Sequence, residues 1–142
     1  MTSFTNIYDA FLAKILEDEW GYWTEEEVRE DMYQIMKAAL PWFKFPRVDL
    51  TMVEDVVFLG DLTNAEIQII ASYMKVEWLN RTIMSWETIK PLYEERDFSQ
   101  ANLIDKLTAS LQMERENVEK LESLYYRSIN YKPFDYSRLT KN

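Results

Sequence analysis

Ser99 to Arg127 reads SQANLIDKLTASLQMERENVEKLESLYYR, twenty-nine residues with neither Pro nor Gly. Leu103, Leu107, Leu111, Val118, Leu121 and Tyr125 recur through it at helical intervals. That spacing places them on one face of a single long helix, about 43 Å from end to end. Asp97 and Ser99 are both candidate caps at its start. The run Glu114-Arg115-Glu116-Asn117 breaks the apolar stripe. Either the helix passes there into a second packing environment, such as a neighbouring subunit, or these residues are a solvated stretch of an ordinary long helix.

Beyond this helix the chain continues Ser128-Ile129-Asn130-Tyr131-Lys132-Pro133-Phe134-Asp135-Tyr136-Ser137-Arg138-Leu139. A disposable tail is polar and small-residue-rich, and this one is aromatic. Residues 127–142 hold four bases and one acid, a balance of +3, which leaves −12 over residues 1–126. Aromatic residues and Arg anchor protein interfaces, because they offer large contact area at modest entropic cost. The chain therefore divides into an acidic helical body, 1–126, and an extended aromatic and basic interaction tail, 127–142. Docking on another protein is the favoured role for the tail; folding back over its own domain is the alternative.

Towards the N-terminus, Thr63 and Glu66 form a capping-box pattern ahead of Ile67, Ile70, Ala71, Met74, Trp78 and Leu79. This is an amphipathic helix of about twenty residues reaching Ile83. Ser85 to Tyr93, interrupted by Pro91, reads as a short or broken helix over a turn. Thr24 precedes Glu25, Glu26 and Glu27, a second N-terminal signal, and the helix it opens carries Val28, Met32, Ile35, Met36 and Ala39 to its end at Pro41. An earlier helix begins after Thr5 with Ile7, Phe11, Ile15 and Leu16 on one face and stops near Gly21. Between Pro41 and Asp61 the character changes. Pro41 to Arg47 is a rigid extended connection. Val48 to Leu59 is either a short hairpin or a packed loop that lays Val53, Val56, Val57 and Phe58 across the helices, the loop being favoured. The fold class is all-α: a small helical bundle with one long C-terminal helix, an irregular or short β segment near 47–60, and an extended tail.

Composition narrows the chemistry. The 142 residues carry a net charge of −9, with no Cys, no His and two Gly. Disulfides, thiolate nucleophiles, Cys or His zinc sites and serine–histidine pairs are thereby excluded, as are glycine-rich phosphate loops. No run of apolar residues is long enough to span a membrane, and the N-terminus lacks the basic-then-apolar order of a signal peptide, so a soluble intracellular protein is expected. The acidic balance disfavours binding to DNA or to an anionic bilayer. Acidic pairs abound at Glu17 to Glu19, Glu94 and Glu95, Glu114 and Glu116, and Glu119 and Glu122. Acid–base catalysis needs one such group buried with a raised pKa. These acids lie mostly opposite the apolar stripes, where a solvated surface is the simpler role. A di-iron site would need Glu-x-x-His motifs, and the chain has no His. Trp78 reads as core, and Trp20, Trp23 and Trp42 flank turns. Asp9 to Asp31 contains nine acids and two bases, so the first two tryptophans are no stacking platform for nucleic acid. The reading is of a protein that is not an enzyme, with neither cofactor nor metal.

The segment Leu62-Thr63-Asn64-Ala65-Glu66-Ile67-Gln68-Ile69-Ile70-Ala71 continues to Met74, Val76-Glu77-Trp78-Leu79 and Arg81. With Tyr93, the Asp97-Phe98-Ser99-Gln100-Ala101 turn and the long helix closing on Leu124-Tyr125, it resembles the head–tail connector proteins of tailed bacteriophages, also called adaptor or head-completion proteins. The resemblance covers residues 60–130 and rests on helix order and a loose pattern. It implies a structural virion protein at the neck, made in the host cytoplasm. About twelve copies would form a ring beneath the portal protein, extend the DNA channel and meet a further neck or tail protein. The helices Thr63 to Ile83 and Ser99 to Tyr126 would build the ring body. The portal-binding segment of such adaptors falls here on Tyr131, Pro133, Phe134, Tyr136, Arg138 and Leu139. An acidic channel lining would let double-stranded DNA pass without specific binding, by repelling phosphates. The alternative is a small acidic protein that inhibits a nucleic-acid enzyme by DNA mimicry.

Overall fold

The computed structural model describes residues 1–15, 24–89 and 97–130. Among the described residues, four α-helices carry the fold: α1 (Phe4–Leu12), α2 (Glu25–Ala39), α3 (Asn64–Ile89) and α4 (Asp97–Asn130). Three two-residue strands, β1 (Thr2–Ser3), β2 (Val53–Glu54) and β3 (Val57–Phe58), form an antiparallel sheet of order β1-β3-β2. The architecture is the expected helical bundle with one long C-terminal helix and a short β segment. The six tail residues Tyr131 to Leu139 named above lie outside the described residues, as do Trp20, Trp23, Pro91 and Tyr93. Arg127 to Asn130 are the end of α4.

Helix α3 is the central element. Its Ile69, Ile70, Ala71, Ser72 and Met74 are all buried, because α1, α2 and α4 all pack on it. Phe4, Ile7 and Phe11 of α1, Met32, Ile35 and Met36 of α2, and Val118 and Tyr125 of α4 complete the main core with Phe43 and Phe58. Each such side chain contributes roughly 1.5–3 kcal/mol by leaving water. A second, smaller cluster joins Leu79 and Ile83 of α3 to Leu111 of α4.

Contacts of Glu66 with Tyr125, Tyr73 with Glu122, and Lys75 with Glu114 run antiparallel along the two long helices. On α4 the inward positions are Ile104, Leu107, Leu111, Glu114, Val118, Leu121 and Tyr125. They alternate spacings of three and four, the seam of a coiled-coil pair. Glu114 is thus a seam residue, not part of a solvated stretch. It is buried, and Lys75 reaches its carboxyl at 3.3 Å. The polar interruption in the sequence is an intramolecular rung between the two apolar clusters.

Several boundaries differ from expectation. Helix α1 ends at Leu12 because Lys14 N–H turns back to the Phe11 carbonyl at 2.9 Å, so Ile15 lies past the helix. Helix α3 continues unbroken through Ser85 to Ile89, since Ser and Trp interrupt no backbone hydrogen bonds and the first proline comes at position 91. Helix α4 already includes Asp97 and Ser99, which therefore do not precede it as caps. The segment near Val53 is a hairpin: Glu54 pairs with Val57 across Asp55, whose φ of 56° is a turn conformation that Asp tolerates. Of its four apolar residues only Phe58 is buried; Val53 and Val56 are exposed.

The N-terminal signals behave as expected. Thr24 Oγ1 accepts from Glu27 N–H at 3.2 Å. At α3 both halves of the capping box form, Glu66 N–H to Thr63 Oγ1 at 3.3 Å and Thr63 N–H to Glu66 Oε1 at 2.7 Å. Pro41 closes α2 through a 3-10 turn at Leu40–Trp42. The start of the chain is tied to the hairpin: Phe4 N–H donates to the Val56 carbonyl at 2.9 Å, and Thr2 Oγ1 donates to Gly60 and accepts from Leu62 N–H.

Candidate functional site, a groove along α3 and α4

A groove of about 640 Å³ opens where the segment after α2 crosses the α3–α4 pair. The crossing segment contributes Trp42, Lys44 and Phe45; α3 contributes Tyr73, Val76, Glu77 and Asn80; α4 contributes Arg115, Val118, Glu119, Glu122 and Tyr126. Trp42 and Phe45 are 55% and 72% exposed, so two large rings stand at the rim.

Two tyrosines fix this geometry. Tyr125 and Tyr126 are consecutive on α4, and helical geometry sends them to different sides. The Tyr125 hydroxyl accepts from Arg47 N–H at 2.8 Å and donates to Glu66 Oε2 at 2.7 Å. The Tyr126 hydroxyl accepts from Phe45 N–H at 3.3 Å and donates to Glu122 Oε2 at 2.6 Å. Tyr73 donates to the other oxygen, Oε1, of Glu122. Tyr125 and Tyr126 therefore each relay a backbone amide of the 43–47 segment to a buried glutamate. The rings pack as well, with Phe43 edge-on to Tyr125 at 5.3 Å and Phe45 edge-on to Tyr126 at 6.0 Å. The connection that proline and aromatics make stiff is thus clipped to α4 at alternate residues.

Burial, and then hydrogen bonding to Glu66 or Glu122, pushes Tyr125 and Tyr126 up to about 12. The same two causes raise Tyr73 further. All three stay protonated at neutral pH and act as hydrogen-bond donors. At the rim, Trp42 Nε1–H donates to Glu77 Oε1 at 2.8 Å, which orients the indole.

The acids expected to form a solvated surface divide differently. Glu116 and Glu119 are exposed, but Glu66, Glu114 and Glu122 are buried, because each has a donor from a neighbouring helix or loop. The capping box uses one oxygen of Glu66; the second is the atom that Tyr125 uses. Along α2, Glu26, Glu27, Glu30 and Asp31 line a shallow acidic groove. Asp31 is held there by a two-pronged pair with Arg81, at 2.6 and 3.0 Å. Glu17 to Glu19, Glu94 and Glu95 lie outside the described residues. Among the described residues no cluster of acids is placed to hold a metal ion, and no helix is long and apolar enough to cross a membrane.

Chemically, the main groove offers exposed aromatic faces, an apolar base at Val76 and Val118, and carboxyl groups at Glu77 and Glu119. Lys44 and Arg115 add two cations to the same lining, so the surface suits aromatic side chains together with charges of either sign. Compared with known proteins, the chain matches no family, no curated protein and no solved structure.

Proposed function

We propose that the protein is a structural ring-forming adaptor that sits beneath a phage portal, extends the DNA channel and links head to tail. The observation that supports this reading most is the α3–α4 pair. It holds together through its own seam, leaves the outer face of α4 exposed at Met113 and Leu124, and leads directly into the aromatic, basic segment that follows Asn130. In this reading the pair is the ring body. Tyr131, Pro133, Phe134, Tyr136, Arg138 and Leu139 engage the portal. The excess of −12 over residues 1–126 keeps DNA from adhering as it passes. Modest contacts between neighbours, repeated around a closed ring, add up to a stable assembly.

Co-purification with the portal protein of the same virus tests the tail assignment. The full chain is expected to bind, and a full-length variant with Phe134→Ser, Tyr136→Ser and Arg138→Ser is expected to lose binding while keeping its helical circular dichroism. Equal binding by the two proteins would contradict the assignment.

The acidic groove of α2 favours a second reading, DNA mimicry. Glu26 and Glu30, four residues apart, with Glu27 beside them, repeat negative charge along one helix. Salt-sensitive, stoichiometric inhibition of a basic nuclease, relieved by Glu26→Gln with Glu30→Gln, would support that reading over the adaptor.

A further inference from the structure

The groove is shaped for a segment whose composition this chain itself carries. Trp42 and Phe45 present large exposed rings. Both are held in place, Trp42 through its indole bond to Glu77 and Phe45 through the edge-on packing of its ring against Tyr126. Rings fixed in this way lose little entropy when a partner covers them. Glu77 and Glu119 offer partners to basic side chains there, and Lys44 and Arg115 offer partners to an acid. Residues 131–142 supply the complement: Tyr131, Phe134 and Tyr136, with Lys132, Arg138 and Lys141 against Asp135 alone.

Chain continuity identifies the occupant. Tyr126, a wall residue of the groove, precedes the last residue of α4, Asn130, by about one helical turn. The α4 wall from Arg115 to Tyr126 is roughly 17 Å long, and twelve residues extend up to about 40 Å. The segment is long enough to reverse after Asn130 and lie along that wall. A tether this short also gives an effective concentration in the millimolar range, which a second copy matches only in concentrated solution.

We propose that residues 131–142 occupy the groove of their own molecule in the isolated protein, with their aromatic rings against Trp42 and Phe45. The groove is then a resting site for the same residues that a partner would bind, and association requires their release. The resting contact does not depend on the adaptor reading, because it concerns the protein alone; the release on association rests on that reading.

The chain has no cysteine, so Ser137→Cys in the full-length protein accepts a single nitroxide label. In a uniformly ¹⁵N-labelled sample, the nitroxide is expected to broaden the Trp42 indole and Phe45 amide signals. A second sample mixes ¹⁵N-labelled chain lacking the nitroxide with unlabelled chain that bears it. No broadening is expected there. Adding Phe134→Ser to the first sample should restore much of the lost intensity. Unbroadened groove signals in the first sample, or equal broadening in the mixed sample, would overturn the proposal; the second result would assign the groove to another copy.

Discussion

Tyr125, near the end of α4, donates its hydroxyl to Oε2 of Glu66, in the first turn of α3, at 2.7 Å. Glu66 is 1% exposed and spends its other oxygen on Thr63 N–H. One buried carboxyl therefore caps α3 and receives the clip from α4, while the same tyrosine oxygen accepts Arg47 N–H. Removing that hydroxyl alone strands a buried acceptor and a backbone donor. Tyr125→Phe is expected to lower stability by about 2 kcal/mol, read from the midpoint of urea unfolding. An unchanged midpoint would mean that the relay carries no net energy.

Alkali should act through the same phenols. Tyr8, Tyr125 and Tyr126 are raised to about 12, chiefly by burial. In the unfolded chain they ionise near pH 10. Their neutral forms favour the folded state, so their contribution is complete below about pH 10 and is lost as pH rises from there towards 12. Absorbance at 295 nm should show a group of tyrosines that titrates late and together with unfolding.

The Lys75–Glu114 rung lies between two apolar clusters, with Glu114 buried and Lys75 partly so. Lys75→Met alone leaves Glu114 without its cation and should cost about 2 kcal/mol. Combining it with Glu114→Leu joins the clusters through the seam and should recover most of that loss. A double variant as unstable as the single one would show that the rung also sets the register of the helices.

At Gly60 an added Cβ would stand 2.0 Å from Val48 Cγ1. Gly60→Ala should therefore destabilise by about 1–3 kcal/mol, and Val48→Ala in the same chain should relieve part of the cost. Additive losses from the two changes would place the strain elsewhere.

Ser72 presents the opposite case. It is fully buried, and its hydroxyl makes no hydrogen bond among the described residues. Ser72→Ala is expected to raise stability by about 1 kcal/mol, since a desolvated polar atom is removed at little change in volume. A loss of stability would show that the hydroxyl has a partner in solution.

Residues whose roles are local were legible in the sequence. Thr24 and Thr63 cap the helices they precede, and Leu111, Val118 and Tyr125 sit on one inward seam. Periodicity and caps act over one or two turns, so a single stretch contains the whole signal. The groove was not legible, because it depends on pairs far apart in sequence. Nothing near Glu66 points to Tyr125, fifty-nine residues away, and nothing near Glu122 points to Tyr73, forty-nine residues away. Polar letters such as Glu114 and Glu122 read as surface until a partner helix supplies donors. The buried surface on α3 is likewise wider than the stripe: Ile69, outside it, is buried because three helices pack on α3.

The adaptor reading makes its most direct prediction about assembly. The measurement is the mass of the full-length protein mixed with purified portal rings from the same virus, by mass photometry with negative-stain imaging. The account predicts a complex carrying about twelve copies as one ring coaxial with the portal. Free protein of single-chain mass beside unoccupied portal rings, across the working concentration range, would contradict it.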